Sequence, residues 1–156
     1  ILDAPDFKTA LHIARSHYRS FGQSINLFKH GQFLNIETSA KRVAVTRPRG
    51  VFLHTNHYLH RDMIEMESPG HMQWTLSRYG MGRDYIARRL KFGEKQIREL
   101  LGSRESAPFC LFCIQGDSRN EHATLATVLF DTRKIGLHVI RGNPARSRGK
   151  WYPLER

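Results

Sequence analysis

The chain holds only 2 cysteines in 156 residues, too few for a disulfide-stapled scaffold. Its apolar runs stop at short stretches such as Thr124–Phe130. A helix that crosses a bilayer needs about 20 apolar residues, so no membrane partner is expected. No GxxxxGK[ST] phosphate loop is present, and Gly80-Met81-Gly82 lacks the third glycine of a dinucleotide fingerprint. No GxSxG elbow occurs either, which removes the usual serine-hydrolase signature. Internal repeats, low-complexity tracts and linker-like stretches are missing, so residues 1–156 read as a single domain. The chain opens on Ile1 without a basic-then-apolar leader pattern. It therefore reads as a segment of a larger protein, with a cytoplasmic location favoured.

What is present is a globular composition, 40% hydrophobic and 25% charged, with a net charge of +11. That excess speaks to anion binding and solubility, not to fold. It opens a reading as a basic module for nucleic acid or another polyanion. The cations are dispersed, however, over Arg15 and Arg19, Lys41–Arg49, Arg78–Lys95 and Arg141–Lys150. Aromatics do not alternate with them as a stacking RNA-binding sheet requires. Specific nucleic-acid binding is therefore not expected.

Phe7, Ala10, Leu11, Ala14 and Tyr18 recur with the helical period. Asp3 can cap this helix, Pro5 and Asp6 suit its first turn, and Gly22 follows it. The period then changes to short β-rich runs at Ser24–Phe28, Phe33–Glu37, Val43–Thr46 and Val51–Thr55. His30-Gly31 and Arg47–Gly50 supply turns between them. Ser68-Pro69-Gly70 breaks the chain before a second helix, expected over Arg83–Leu101 and ended by Gly102. Ile86, Leu90, Ile97 and Leu101 form its apolar face. Arg83, Arg88, Lys91, Lys95 and Arg98 are expected to form a solvated basic face. Phe109–Ile114, Thr124–Phe130, Ile135–Ile140 and Trp151–Leu154 read as further strands, with Asp131–Lys134 as a hairpin loop. Helix, meander, helix and hairpins in that order predict an α+β fold with antiparallel sheets.

Three clusters could carry chemistry. Cys110 and Cys113 form a lone CxxC, and residues i and i+3 of a strand point to opposite faces, so core packing is the plain reading. His54, His57 and His60 are spaced by three, which suits either loop hydrogen bonding or a metal site. The segment Val51–His60 delivers Thr55-Asn56-His57 to the end of an expected strand. There an asparagine carboxamide can donate to a developing oxyanion, or serve only as a turn residue. Ser77-Arg78-Tyr79 follows, and Arg78 is either a site cation or a surface one.

These segments, taken in order, resemble the acyl-coenzyme A:6-aminopenicillanate acyltransferase family of N-terminal nucleophile (Ntn) hydrolases. Choloylglycine hydrolases are more distant cousins. Gln23–Leu27 with Leu34–Thr38 is similar to the family's hairpin ending in a glutamate. Gly50–His60 resembles its HTNH motif, and Ser77-Arg78-Tyr79 its SR-aromatic motif. Thr124–Asp131 followed by Leu137–Pro144 resembles its closing hairpin.

The resemblance implies a C–N amide hydrolase or acyltransferase acting on linear amides. It implies an α-β-β-α four-layer sandwich of which this chain is the C-terminal segment. In that family an autoprocessed N-terminal cysteine attacks the carbonyl, with its own α-amino group as base. Asn56 matches the oxyanion donor, Arg78 the arginine beside the cysteine, and Ser77 a supporting residue. No metal or organic prosthetic group is implied. The implied partners are a small amide or acyl donor, an acyl-coenzyme A included, and the N-terminal part of the same protein. Ile1 has no nucleophilic side chain, so the cysteine is expected outside this chain. Cys110 and Cys113 are expected to be dispensable for the chemistry.

Overall fold

The computed structural model describes residues 4–16, 19–29, 31–67, 70, 72–105, 110–114 and 123–154. Asp3, Tyr18, His30, Ser68, Pro69 and Phe109, which entered the sequence reading, lie outside them. The architecture is α+β, with two antiparallel three-stranded sheets. The chain divides into two compact units, Ile1–Met72 and Gln73–Arg156. Among the described residues no helix is long and apolar enough to cross a membrane.

The first unit opens with helix α1, Phe7–Ser16, which buries Ala10 and Ala14. Asp6 is its observed cap: Oδ1 accepts from the Thr9 N–H at 2.7 Å, satisfying an orphan donor of the first turn. Strands β1 (Gln23–Lys29), β2 (Gln32–Thr38) and β3 (Val43–Thr46) follow in spatial order. The register pairs Ile25 with Ile36 and Leu27 with Leu34, and Ile36 in turn with Val45. One sheet face is therefore aliphatic. The other carries Ser24, Asn26, Asn35, Glu37 and Thr46 by the period of two. Leu34 through Thr38 are buried on both faces, so the polar side chains of β2 need partners within the protein.

The expected strand Val51–Thr55 joins no ladder. Its side chains work instead: the Phe52 ring packs edge-on against Phe33 at 5.8 Å, and His54 bonds to Glu37 on β2. The segment thus lies over the polar side of the sheet without extending it.

The second unit departs from the single helix expected over Arg83–Leu101. Helix α2 spans Met72–Ala87 and helix α3 Glu94–Leu101. Gly93 stands at the start of α3, where its N–H donates to Gln96 Oε1 at 3.1 Å. Leu90, assigned to the apolar face, is fully exposed in the connection. The basic residues consequently share no single face. Arg83 lies on α2, Arg88 and Lys91 in the connection, and Lys95 on α3. Arg98 is not solvated: its side chain is 16% exposed and holds Glu94 at 2.8 Å. It also donates to His138 Nδ1 at 2.9 Å. The hydrogen bond from Arg98 to Glu94 holds the Glu94 carboxyl below the usual carboxylate range.

Strands β4 (Ala126–Asp131), β5 (Gly136–Arg141) and β6 (Lys150–Pro153) make the second sheet. Register places Leu129, His138 and Trp151 in one row, and Arg98 ties α3 to that row through His138. The hairpin turns where Asp131 Oδ1 accepts from the N–H groups of Arg133 and Lys134 at 2.9 and 3.0 Å. Gly136 is required at its place, because a Cβ there would stand 2.2 Å from the Trp151 ring. Where a strand was expected over Phe109–Ile114, the described residues 110–114 form none and bend between Cys110 and Cys113.

Candidate functional site

Glu37 is the least exposed carboxylate of the candidate site, with its side chain 1% accessible. Three donors converge on its two oxygens. His54 Nε2 and the Leu59 N–H donate to Oε1, each at 2.7 Å. The His60 N–H donates to Oε2, also at 2.7 Å. Such an array suits an acceptor-only carboxylate, and charge-assisted bonds of this kind are the strong ones. A second carboxylate, Glu67, accepts the Tyr58 N–H at 2.7 Å. The backbone donors of Tyr58, Leu59 and His60 thus go to these two acids, and they hold the chain immediately after Thr55-Asn56-His57.

The side chains of the turn are equally tied. His54 Nδ1 lies against the Thr55 carbonyl. Tyr58 donates its hydroxyl to the Thr38 carbonyl at 2.9 Å. Burial, with Glu67 and Glu37 adding to it, raises the Tyr58 hydroxyl above the ordinary tyrosine range, so it stays protonated. The passing chain is a glycine, Gly22, where a Cβ would meet that hydroxyl at 2.1 Å. His57 is buried and pairs through Nδ1 with Thr55 Oγ1 at 3.1 Å. His60 Nδ1 lies 3.6 Å from Asp62 Oδ2, and among the described residues no metal-holding cluster forms.

Burial holds the His57 imidazole below the ordinary histidine value of 6.5; His54 adds to this, while the carboxylates of Glu67 and Glu37 oppose it. The unfolded chain then binds more protons than the folded one between the lowered value and 6.5. The neutral His57 contribution is full above the unfolded value and is lost as pH falls through the folded one. The thermal midpoint of the protein should therefore drop between about pH 7.5 and about pH 5, and His57→Gln should remove part of that drop. Equal pH slopes for the two proteins would show that His57 is not the responsible group.

The tied turn forms one wall of a cleft of about 590 Å³ within the first unit. Its polar lining includes Ser24 and Asn26 from β1, Asn56 and His57 from the turn, and Glu67. Asn56 is exposed at this wall. Asn35 Nδ2 donates to Ser24 Oγ at 2.8 Å and to Asn26 Oδ1 at 3.0 Å. With its oxygen engaged, Asn26 has N–H groups as its remaining polar offer. The cleft is lined by three carboxamides, Gln23 and Asn26 on β1 and Asn56 on the carboxylate-anchored turn.

Ser77 and Arg78 lie in the second unit, in the middle of α2 and not before a helix as the sequence suggested. Both are half-buried, and Arg78 Nε donates to the Trp74 carbonyl one turn back at 3.2 Å. Sequence reasoning singled out Asn56 but gave no role to Glu37, Glu67, Tyr58 or Asn26. For Glu37 the available signal was the resemblance of Gln23–Leu27 with Leu34–Thr38 to a family hairpin that ends in a glutamate.

No curated protein matches the chain. The family described as acyl-coenzyme A:6-aminopenicillanic acid acyl-transferase matches residues 1–146. A family match over nearly the full length, on an α+β chain whose HTNH turn walls a polar cleft, settles the kinship: the chain belongs to the acyl-coenzyme A:6-aminopenicillanic acid acyl-transferase family, which is Ntn-hydrolase-like.

Proposed function

We propose that this chain supplies the oxyanion-stabilising part of a C–N amide hydrolase or acyltransferase site whose cysteine nucleophile lies outside it. Family membership supports acyltransferase or amide-hydrolase activity, and an acyl-coenzyme A type of substrate. The observation that carries the finer reading is the rigid seat of Asn56. Its turn is fixed by Glu37 and Glu67 through four donors, and it faces a polar cleft. A donor held in advance costs no reorganisation when a carbonyl oxygen gains charge.

In this reading an upstream cysteine, freed by autoprocessing, attacks the acyl carbonyl. The carbonyl oxygen takes the electron pair and is met by the Asn56 carboxamide. Collapse expels coenzyme A thiolate or an amine and leaves a thioester on the cysteine. An amine or water then takes the acyl group. Arg78 favours the thiolate by its charge, and Ser77 supports the same site.

The test uses the full-length protein with an acyl-coenzyme A and a primary amine, following thiol release and amide product together. Thiol release with amide formation supports transfer, and release or amide cleavage without it supports hydrolysis. Asn56→Ala, Arg78→Ala and the double variant complete a cycle. If both residues act on one transition state, the double variant should lose less than the product of the single losses. Strict additivity would remove Arg78 from the site, and no turnover of thioester or amide would overturn the function.

A further inference from the structure

The bend at Cys110–Cys113 does what a strand could not. It brings the two Sγ atoms to 3.8 Å, with Cys113 Sγ also 3.2 Å from the Cys110 carbonyl oxygen. Neither cysteine is in a disulfide. Hydrogen bonds fix the bend on each flank. The Phe112 N–H donates to the Ser103 carbonyl at 3.1 Å, and the Thr124 N–H to the Cys113 carbonyl at 2.9 Å. The Cys113 N–H donates to Thr124 Oγ1 at 3.0 Å. The sulfurs are thus held near one another by backbone already in place. Bonding them needs the sulfurs to close from 3.8 Å to about 2.05 Å.

The pair is also asymmetric. Cys110 is 1% exposed and Cys113 is partly exposed. A solution reagent reaches the outer thiol first, and the inner one is placed to answer. We infer that Cys110 and Cys113 form a reversible dithiol–disulfide pair, in which Cys113 reacts with a small-molecule disulfide and Cys110 resolves the adduct. The Cys113 thiolate attacks one sulfur of the disulfide, and that S–S bond breaks to release one thiol. The Cys110 thiolate then attacks Cys113 Sγ and expels the second thiol. Two protein thiols are oxidised, one small disulfide is reduced to two thiols, and two protons pass to solvent and back to the leaving thiolates. The inference uses none of Asn56, Ser77 and Arg78, and it holds whatever acyl chemistry the protein performs.

The experiment treats the full-length folded protein with oxidised glutathione and reads by peptide mass the residues that carry Cys110 and Cys113, apart from any thiol elsewhere in the protein. In the wild type this pair should lose the mass of two hydrogens and both thiols, with no lasting glutathione adduct on either cysteine, and dithiothreitol should restore both. Cys110→Ser should stop at one glutathione adduct on Cys113. Cys113→Ser should react about tenfold or more slowly, because its remaining thiol is buried. Iodoacetamide on the wild type, which needs no variant, should label Cys113 before Cys110. Glutathione adducts that accumulate on wild-type Cys110 or Cys113, a dithiol that stays reduced, or Cys110 labelling before Cys113 would each overturn the inference.

Discussion

In the full-length protein, Asn56→Ala should lower kcat for acyl cleavage by about 10²–10³ while KM stays within a few-fold, a loss of roughly 3–4 kcal/mol in the transition state. The asymmetry follows from when the bond matters. A ground-state carbonyl oxygen carries little charge and can be left to water, whereas the tetrahedral oxyanion needs its donors in place. Asn56 has the required pre-setting, because the backbone N–H groups of Tyr58, Leu59 and His60 after it are held by two carboxylates. His57→Ala should cost stability more than kcat, since His57 is buried beside Thr55 and packs the turn from within. Cys110→Ala and Cys113→Ala should leave kcat near wild type. Steady-state kinetics on folded variants checks all four. A Cys113→Ala protein without turnover, beside an active Asn56→Ala protein, would place the nucleophile within this chain and overturn the proposed function.

The parts of the fold that could be read from sequence are those governed by local rules. The alternation in Gln23–Lys29 and Gln32–Thr38 produced a hairpin as expected, with Asn35 facing Asn26 and Glu37 facing Ser24. Asp131 and the following residues made a hairpin turn because an aspartate can satisfy two backbone donors just downstream. What failed was set by distant partners. The run Val51–Thr55 has strand composition, but His54 is claimed by a carboxylate on β2. The helix expected over Arg83–Leu101 kept its period on paper. Gly93, with Gln96 reaching back to it, starts a separate helix and leaves Leu90 in solvent. Arg98 looked like one more surface cation until Glu94 and His138 took up its guanidinium. The site divides the same way: Asn56 is visible as a motif residue, while the acids that hold it become visible only in three dimensions.

Those acids carry the second large effect. Glu37→Ala should destabilise the protein by about 3–5 kcal/mol, the cost of breaking a buried, hydrogen-bonded charge by removing one partner. The substitution strips acceptors from three donors at once, His54 Nε2 and the N–H groups of Leu59 and His60. Each donor left unsatisfied away from water costs about 1–3 kcal/mol, less whatever water can enter. Glu37→Gln keeps the shape and one accepting oxygen but turns an N–H2 group toward a donor, so it should lose about 1–3 kcal/mol. The same series separates support from chemistry. If Glu37 acts by seating the turn, folded Glu37→Gln should lose kcat through Asn56, and adding Asn56→Ala should cost little more. Urea unfolding gives the stability term, and the kinetic double variant gives the coupling. A Glu37→Ala protein within about 1 kcal/mol of wild type would mean that other contacts set the turn. Full additivity of Glu37→Gln with Asn56→Ala would mean that the carboxylate does not act through Asn56.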